Sequence, residues 1–296
     1  LGLTSPYLLI TQENIPMVRG ASQAYGLTFT PGTWIESIQI TKGAGSVVNG
    51  YESISGQINT ELVKPLTDNA VFVNGYANQN GRYELNTHFN KKLTDKLSTG
   101  LYIHGNTRTQ KEDDNNDGFL DAPLGEQINV MNRWQYQDVE TGFVSFLNVR
   151  FLNDEKQVGQ VNFNPDTDKF TTNAWGSEIN TRRFDTSLKL GYVFPEMPFQ
   201  SFGFQTAYSF HKQDSYFGFR TYDINHESLY SNLLFNSIIG DTRNKFKTGI
   251  TFAYDGYDEM VSATDYSRED TSVGAFVEYS YENLEKVSLT AGLRVD

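Results

Sequence analysis

The residues best spaced for chemistry lie in one acidic segment, Asp113-x-Asn115-x-Asp117-Gly118-Phe119-x-Asp121. Side-chain oxygens at positions 1, 3, 5 and 9, a backbone carbonyl at position 7 and a glycine at position 6 reproduce the first part of a calcium-binding loop. Position 12, where a bidentate Glu would complete the set, is Leu124. The segment reads in one of two ways. In the first, Ca2+ is a structural ion held by Asp113, Asn115, Asp117, Asp121 and the Phe119 carbonyl, ordering a loop that has no core to bury. In the second, it is an acidic turn without metal, with Asp and Asn present for their turn chemistry. Glu112 and Asp114 add negative charge off the ligand register. Catalysis has little else to draw on. His88, His104, His211 and His226 stand apart, without metal-ligand spacing, and no Gly-x-Ser-x-Gly nucleophile motif is present. Asp265 and Glu269 form a carboxylate pair of the kind a glycosidase uses, but in so acidic a stretch the pairing carries no specificity. No catalytic residue is assigned, and the expected class is not an enzyme.

The elements that must position these side chains are strands. Leu188, Leu190, Tyr192 and Phe194 share one parity while Ser187, Lys189 and Gly191 fill the other. Tyr83, Leu85 and Phe89 oppose Arg82, Glu84, Asn86 and His88 in the same way, which places His88, and by the same parity His104, on the wet face. Phe202, Phe204, Tyr208 and Phe210, then Phe246, Ile250, Phe252 and Tyr254, then Val287, Leu289, Leu293 and Val295 repeat the pattern. A period of two with one apolar face is a half-buried strand. The chain is only 38% hydrophobic with a mean hydropathy of -0.49, and no apolar run approaches the stretch of about 18 residues that a spanning helix needs. Helical membrane insertion is therefore excluded. A transmembrane barrel is not, because its lipid-facing and lumen-facing residues alternate and it reads as hydrophilic on average; aromatics at 14% fit its interfacial girdles. Tight links near 91–96, 137–141, 195–200, 240–244 and 282–285 alternate with long polar stretches at 109–131, 153–182, 214–228 and 258–269. Such barrels place short turns on the periplasmic side and long loops outside. About eleven strands follow Leu66, the last over 286–296.

Ahead of these strands, Ser37 to Thr41 alternates around Ile38 and Ile40, Gly43, Gly45 and Gly50 supply sharp turns, and a second strand runs from Gly56 to Glu61. Gly43-x-Gly45 after a strand also fits a dinucleotide-binding turn, but that requires a following helix, and the β-branched, Gly-broken run from Ser46 to Ile58 is a poor helix. The residues Ile35, Glu36, Ile38, Ile40, Lys42, Gly43, Gly50, Ile54, Gly56, Ile58, Asn59 and Thr60 resemble the closing segment of the plug domain in TonB-dependent outer-membrane receptors. That segment reads Ile-Glu-x-Ile-Glu-Val-x-x-Gly, then Tyr-Gly, then Gly-x-Ile-Asn. Pro6 to Ile10 and Ile15-Pro16 sit where plugs carry a hydrophobic strand and a short turn; Gln39 and Gln12 depart from the usual Glu and Asp.

The resemblance implies an all-β transmembrane fold: a large antiparallel outer-membrane β-barrel of about 22 strands when complete, enclosing an internal plug domain. Residues 1–66 would be the C-terminal part of the plug and 67–296 the N-terminal half of the barrel, so the chain is expected to be a fragment. It begins at Leu1 without an initiator Met or an apolar leader, and Val295-Asp296 does not resemble the aromatic terminus that closes such barrels. The implied function is energy-coupled uptake of a scarce nutrient, such as a metal chelate, cobalamin or a similar small ligand, across the bacterial outer membrane. Its implied partners are a TonB-type coupling protein, the lipid bilayer and that ligand. In such receptors the ligand sits between the plug and the barrel wall, which makes Asn14, Met17, Arg19, Gln23 and Tyr25 the ligand-binding candidates. Met17 is also a side chain that a soft metal would accept. The alternative is that Arg19 and its neighbours pair with wall acids and seat the plug. Two other functions stand beside uptake: a transport-inactive barrel serving as a structural subunit of a secretion or motility assembly, and a soluble all-β glycan-binding or glycan-cleaving protein. A net charge of -12 with a pI near 4.8 excludes nucleic acid as a partner, since phosphate contacts need clustered Lys and Arg. The absence of Cys fits exposure to the periplasm.

Overall fold

The structure, a computed structural model, describes residues 7–283 and 286–296. Two sheets account for nearly all of it. The smaller, here called the plug, contains β1 (Leu8–Gln12), β2 (Ile15–Val18), β3 (Ile35–Lys42) and β4 (Gly56–Leu62) in the order β2-β1-β4-β3. β1 and β4 run parallel, with Leu8 opposite Gly56 and Gln12 opposite Thr60, and the other pairs are antiparallel. The β1–β2 turn places Glu13 and Asn14 at φ 54° and 62°, the positive pair that a tight hairpin turn requires. Three short 3-10 turns, Gly20–Ala24, Gly26–Thr28 and Gly32–Trp34, fold the chain between β2 and β3 against the inside of the second sheet.

That second sheet is the wall. It comprises β5 (Val71–Ala77), β6 (Arg82–Lys92), β7 (Leu97–Arg108), β8 (Leu124–Asp138), β9 (Phe143–Gly159), β10 (Gly176–Phe194), β11 (Met197–Phe217), β12 (Arg220–Ile239), β13 (Asp241–Val261), β15 (Arg268–Asn283) and β16 (Val287–Val295), with the two-residue β14 (Thr264–Asp265) hydrogen-bonded to β13. The strands pair antiparallel in chain order, and among the described residues the sheet is open, with β5 and β16 at its edges. No helix among the described residues is long and apolar enough to cross a membrane.

Side-chain parity explains why these residues form a curved two-faced wall. On β10, Thr181, Arg183, Asp185 and Ser187 are buried inside while Phe184, Leu188, Leu190 and Tyr192 take the outer face. Leu85, Phe151, Phe202, Ile250, Val273, Leu289 and Leu293 are exposed on that same outer face, as lipid contact demands. Aromatic rings gather at its two margins. Phe151–Phe184 (4.9 Å) and Phe184–Tyr208 (6.5 Å) lie toward the long loops; Tyr192–Phe194 (5.0 Å), Phe194–Phe202 (6.0 Å), Phe202–Phe235 (4.7 Å) and Phe235–Phe246 (5.8 Å) lie toward the short links. From Phe184 to Phe194, at about 3.3 Å per residue and a tilt of about 40°, the band is about 25 Å tall, the height of an outer-membrane hydrocarbon band.

The long connections are shorter than sequence alone suggests. Only 109–123 and 160–175 are extended loops; β11 and β12 meet in a two-residue turn at Gly218 and Phe219, and β13 reaches β15 through 262–267. The rest of 109–131, 153–182, 214–228 and 258–269 is paired strand. Above the band the outer face becomes polar, with Asn153, Glu155, Asn180, Arg182, Lys212 and Asp214, so the hydrophobic alternation ends while the ladder continues. At the other end the links shrink to 93–96, 139–142, 195–196 and Gly240; in the link expected at 282–285, residues 284 and 285 lie outside the described residues.

The outer face generates a direct test. In the full-length protein, Leu188→Arg, in the middle of the band, should destabilise the barrel folded in phospholipid by about 2–4 kcal/mol. Asn180→Arg, above the band, should be near neutral. Denaturant titration of heat-modifiable migration reads both, and equal effects would remove the lipid assignment.

Candidate functional site

A polar inner wall cannot hold the plug by greasy contact alone, and among the described residues two apolar clusters join plug to wall. Trp34 and Leu62 of the plug pack with Tyr102 and Met131 of the wall, Trp34 meeting Tyr102 edge-on at 6.0 Å. Ile15 and Met17 pack with Ala207. Elsewhere wall side chains donate to plug backbone carbonyls. Arg183 Nη2 reaches the Met17 carbonyl at 2.6 Å, Asn129 Nδ2 the Phe29 carbonyl at 2.6 Å with Arg150 beside it, and Lys189 Nζ the Glu13 carbonyl at 2.9 Å. The Glu13 carboxylate pairs with buried Arg133.

Arg19 follows β2 and joins the plug to the wall through a charge cluster. Its Nη2 lies 3.0 Å from Glu52 of the plug and 3.0 Å from Asp255 of the wall. Asp255 also accepts from His226 Nε2 at 3.0 Å, and the His226 ring stacks on Tyr257 at 4.3 Å. Arg268 lies over the other side of Tyr257, 3.9 Å from its centroid, and pairs with Glu259 at 2.5 Å. Glu52, Asp255, Tyr257, Glu259 and Arg268 line an outer cavity of about 640 Å³ on the long-loop side, which Arg19 and Gln23 enter from the plug, while His226 supports Asp255 from behind the lining.

The other candidates fall elsewhere. Asn14 is exposed at the β1–β2 turn, its backbone N–H donates to Asn59 Oδ1 (2.8 Å), and it lines an inner cavity of about 560 Å³ on the short-link side. Met17 is packed side-on into the plug–wall contact. Tyr25 is half-buried with the Lys156 ammonium 6.0 Å from its ring centroid, and burial pushes its hydroxyl above the ordinary phenol range. Arg19 and Gln23 thus share one cavity, while Asn14, Met17 and Tyr25 stand apart from it. Glu52, Asp255, Tyr257 and Arg268 are not singled out by the sequence, and His226 is there only as an isolated histidine without metal-ligand spacing. Asp255 continues the wet parity of Lys247, Gly249 and Thr251, which is the signal that would have found it.

In the acidic loop, Asp113 accepts from the N–H groups of Asp117 (3.0 Å) and Gly118 (2.9 Å), Asn115 Oδ1 from Asp117 (3.0 Å), Asp117 from Phe119 (2.8 Å) and Asp121 from Asp114 (2.7 Å). Among the described residues no three His, Cys, Asp or Glu side chains converge as a metal site. His88 and His104 are buried on the inner wall, bonded to Asp68 (3.1 Å) and Asn86 (2.7 Å). Asp265 and Glu269 are exposed.

Gly20 lies close against the wall. At φ +52°, a Cβ there would strike the Tyr257 hydroxyl and stand 2.7 Å from His226 Cε1, whereas Gly43, at φ +82°, faces open space. Gly20→Ala should therefore cost more than the roughly 1–3 kcal/mol of backbone strain that Gly43→Ala carries. Thermal midpoint and limited proteolysis of the plug would show it; equal losses would mean that the wall does not press on this turn.

No family model and no curated protein matches the chain. Solved structures do. The siderophore receptor PirA from Pseudomonas aeruginosa superposes with a TM-score of 0.69 at 16% identity, covering 99% of this chain and 48% of that one. The ferric-catecholate import receptor Fiu from E. coli K12 gives 0.73 at 12% identity, over 98% and 52%. The copper transporter OprC gives 0.73 at 15% identity, over 99% and 47%. The chain spans about half the length of each of them. Plug sheet, polar inner wall, apolar band and antiparallel order together give this chain the fold of the TonB-dependent outer-membrane receptors.

Proposed function

We propose that the chain is part of an outer-membrane receptor for energy-coupled uptake of a small, polar nutrient complex, and not part of an enzyme. The observation that carries this reading is the outer cavity. Its volume of about 640 Å³ falls within the range of small-molecule sites, it opens on the long-loop side, and it presents the cations Arg19 and Arg268 together with the anions Glu52, Asp255 and Glu259. Mixed charge on a fixed wall suits a ligand that carries its own charges and hydrogen-bonding groups, as a metal chelate does. The names of the similar structures, a siderophore receptor, a ferric-catecholate import receptor and a copper transporter, agree with that class. Asn14, Met17, Arg19, Gln23 and Tyr25 remain the plug-side candidates, with Arg19 and Gln23 foremost. A TonB-type partner would drive the plug from the periplasm, and the bilayer would surround the apolar band.

A strain lacking the gene, grown on media limited in turn for iron, copper, cobalamin and single glycans, should lose TonB-dependent uptake of one labelled nutrient. Normal uptake of all of them, with a defect in secretion or surface assembly, would replace this reading with a structural role.

We also propose that the acidic loop binds calcium. Its carboxylates keep lone pairs beyond those that accept backbone N–H, and Asn115 and the Phe119 carbonyl add neutral oxygens. Calcium should protect the 109–123 segment from protease, and Asp113→Asn with Asp117→Asn should abolish the protection. Protection that survives the double variant, or none in the parent, would leave the loop a turn capped by its own side chains.

A further inference from the structure

Two glycines hollow the inner face of the wall where they meet. Gly191 of β10 stands opposite Gly203 of β11, and a Cβ on Gly203 would find nothing nearer than the Leu234 Cβ at 3.9 Å. The hollow is part of the inner cavity of about 560 Å³, whose residues Val144, Gly191, Gly203 and Asn236 lie near the links at 139–142, 195–196 and Gly240. It therefore faces the short-link, periplasmic side. On the next row of the same face, Lys189, Gln205 and Asn232 stand side by side on β10, β11 and β12, about 4.8 Å from strand to strand.

Charge separates this cavity from the outer one. Four carboxylates, Glu52, Asp255, Glu259 and Asp270, line the outer cavity against the two guanidinium groups of Arg19 and Arg268. The inner cavity is lined by the ammonium groups of Lys189 and Lys247 and, among the described residues, by no carboxylate. In a chain of net charge -12 that is a local reversal of sign. Glu278 reaches Lys247 from outside the lining at 3.5 Å while accepting from Ser46 at 2.6 Å. Lys189 makes no ion pair among the described residues. It donates to the neutral Glu13 carbonyl at 2.9 Å, and an ammonium carries two further donors. The amides add a second demand. Asn232 is only 3% exposed and lines the cavity, and its Oδ1 has no hydrogen-bond partner among the described residues; nor has Asn236 Oδ1. Buried carbonyl oxygens require an O–H or N–H donor, which a bare anion does not supply and which a cationic ligand would bring only against the two lysines.

We propose that the inner cavity is a binding site for a small hydroxycarboxylate, its carboxylates held by Lys189 and Lys247 and its hydroxyl donating to Asn232. The site is separate from the outer cavity and depends neither on the uptake reading nor on any movement of the plug. Inorganic phosphate would meet the same lysines, so phosphate and a carboxylate without a hydroxyl are the comparisons that separate the chemistries.

The full-length protein, purified in detergent, should bind citrate in isothermal titration calorimetry. Tricarballylate, the same tricarboxylate without the hydroxyl, should bind about tenfold more weakly. Phosphate should also bind more weakly than citrate. Lys189→Gln should weaken citrate by about tenfold or more, the scale of a hydrogen bond to a charged group. Because Lys189 also holds plug backbone, Gly203→Val is the second variant. It adds a branched side chain where the Cβ position is open, and should lose citrate while keeping the heat-modifiable migration of a folded barrel. Citrate binding kept in both folded variants, or absent from the folded parent, would overturn the site. Equal affinities for citrate and tricarballylate, or tighter binding of phosphate than of citrate, would overturn the hydroxycarboxylate assignment.

Discussion

In hydrocarbon, no backbone N–H or C=O is left without a partner, because water is not there to take one and each orphan costs several kcal/mol. The rest of this structure depends on that constraint. It requires an unbroken antiparallel ladder, and β5 through β13, then β15 and β16, provide one strand by strand in chain order. A ladder fixes the period at two, so once the outer residues are apolar the inner residues are free to be polar. The wall interior is accordingly built from Asn86, His88, Asn129, Arg133, Arg150, Arg183, Asp185 and Asp255, all buried. Such a surface holds a second domain by meeting it with hydrogen bonds and opposite charge beside a few apolar contacts. Arg133 with Glu13, Arg183 with the Met17 carbonyl and Arg19 with Asp255 are therefore consequences of the lipid outside, transmitted through the pleat.

Much of this was legible before any coordinates. The greasy parity of Leu188 to Phe194 and of Phe202 to Phe210 marks lipid-facing strands because period two is a local property, readable within one strand. Alternation around Ile38 and Ile40 and the run from Gly56 to Glu61 mark two strands, which the structure forms as β3 and β4. Arg19 was visible as a cation in the plug with two expected uses, ligand contact or pairing with wall acids. The structure gives it two acids and also sets it at the edge of a cavity.

What was not legible is non-local. Asp255 lies 3.0 Å from Arg19 across a separation that no pattern in the sequence encodes, because barrel curvature decides which strand faces which part of the plug. Met17 is a ligand candidate by residue type, and its packing with Ile15 against Ala207 of the wall is a contact the sequence does not encode. The hairpin above Phe210 read as a loop for a physical reason. Outside the bilayer both faces of a strand are wet, so the hydrophobic signal ends about where the membrane does, while the hydrogen bonds go on.

The two kinds of contact around the plug differ in how they yield. Burying Trp34 against Tyr102 excludes water without fixing direction, so small rotations about that contact change its energy gradually. An ion pair with both partners nearly buried is different. The Coulomb gain is offset by the cost of taking two charges out of water, so the net holding energy is small, yet a partner left alone in a dry site is strongly disfavoured. Arg19, bonded to plug and wall at once, is not left alone when the plug shifts: it keeps one carboxylate whichever way the other goes. Water entering from the outer cavity can solvate the one that departs. The plug is thus held by apolar packing at Trp34 on one flank, and on the other by an arginine divided between the plug's own Glu52 and the wall's Asp255.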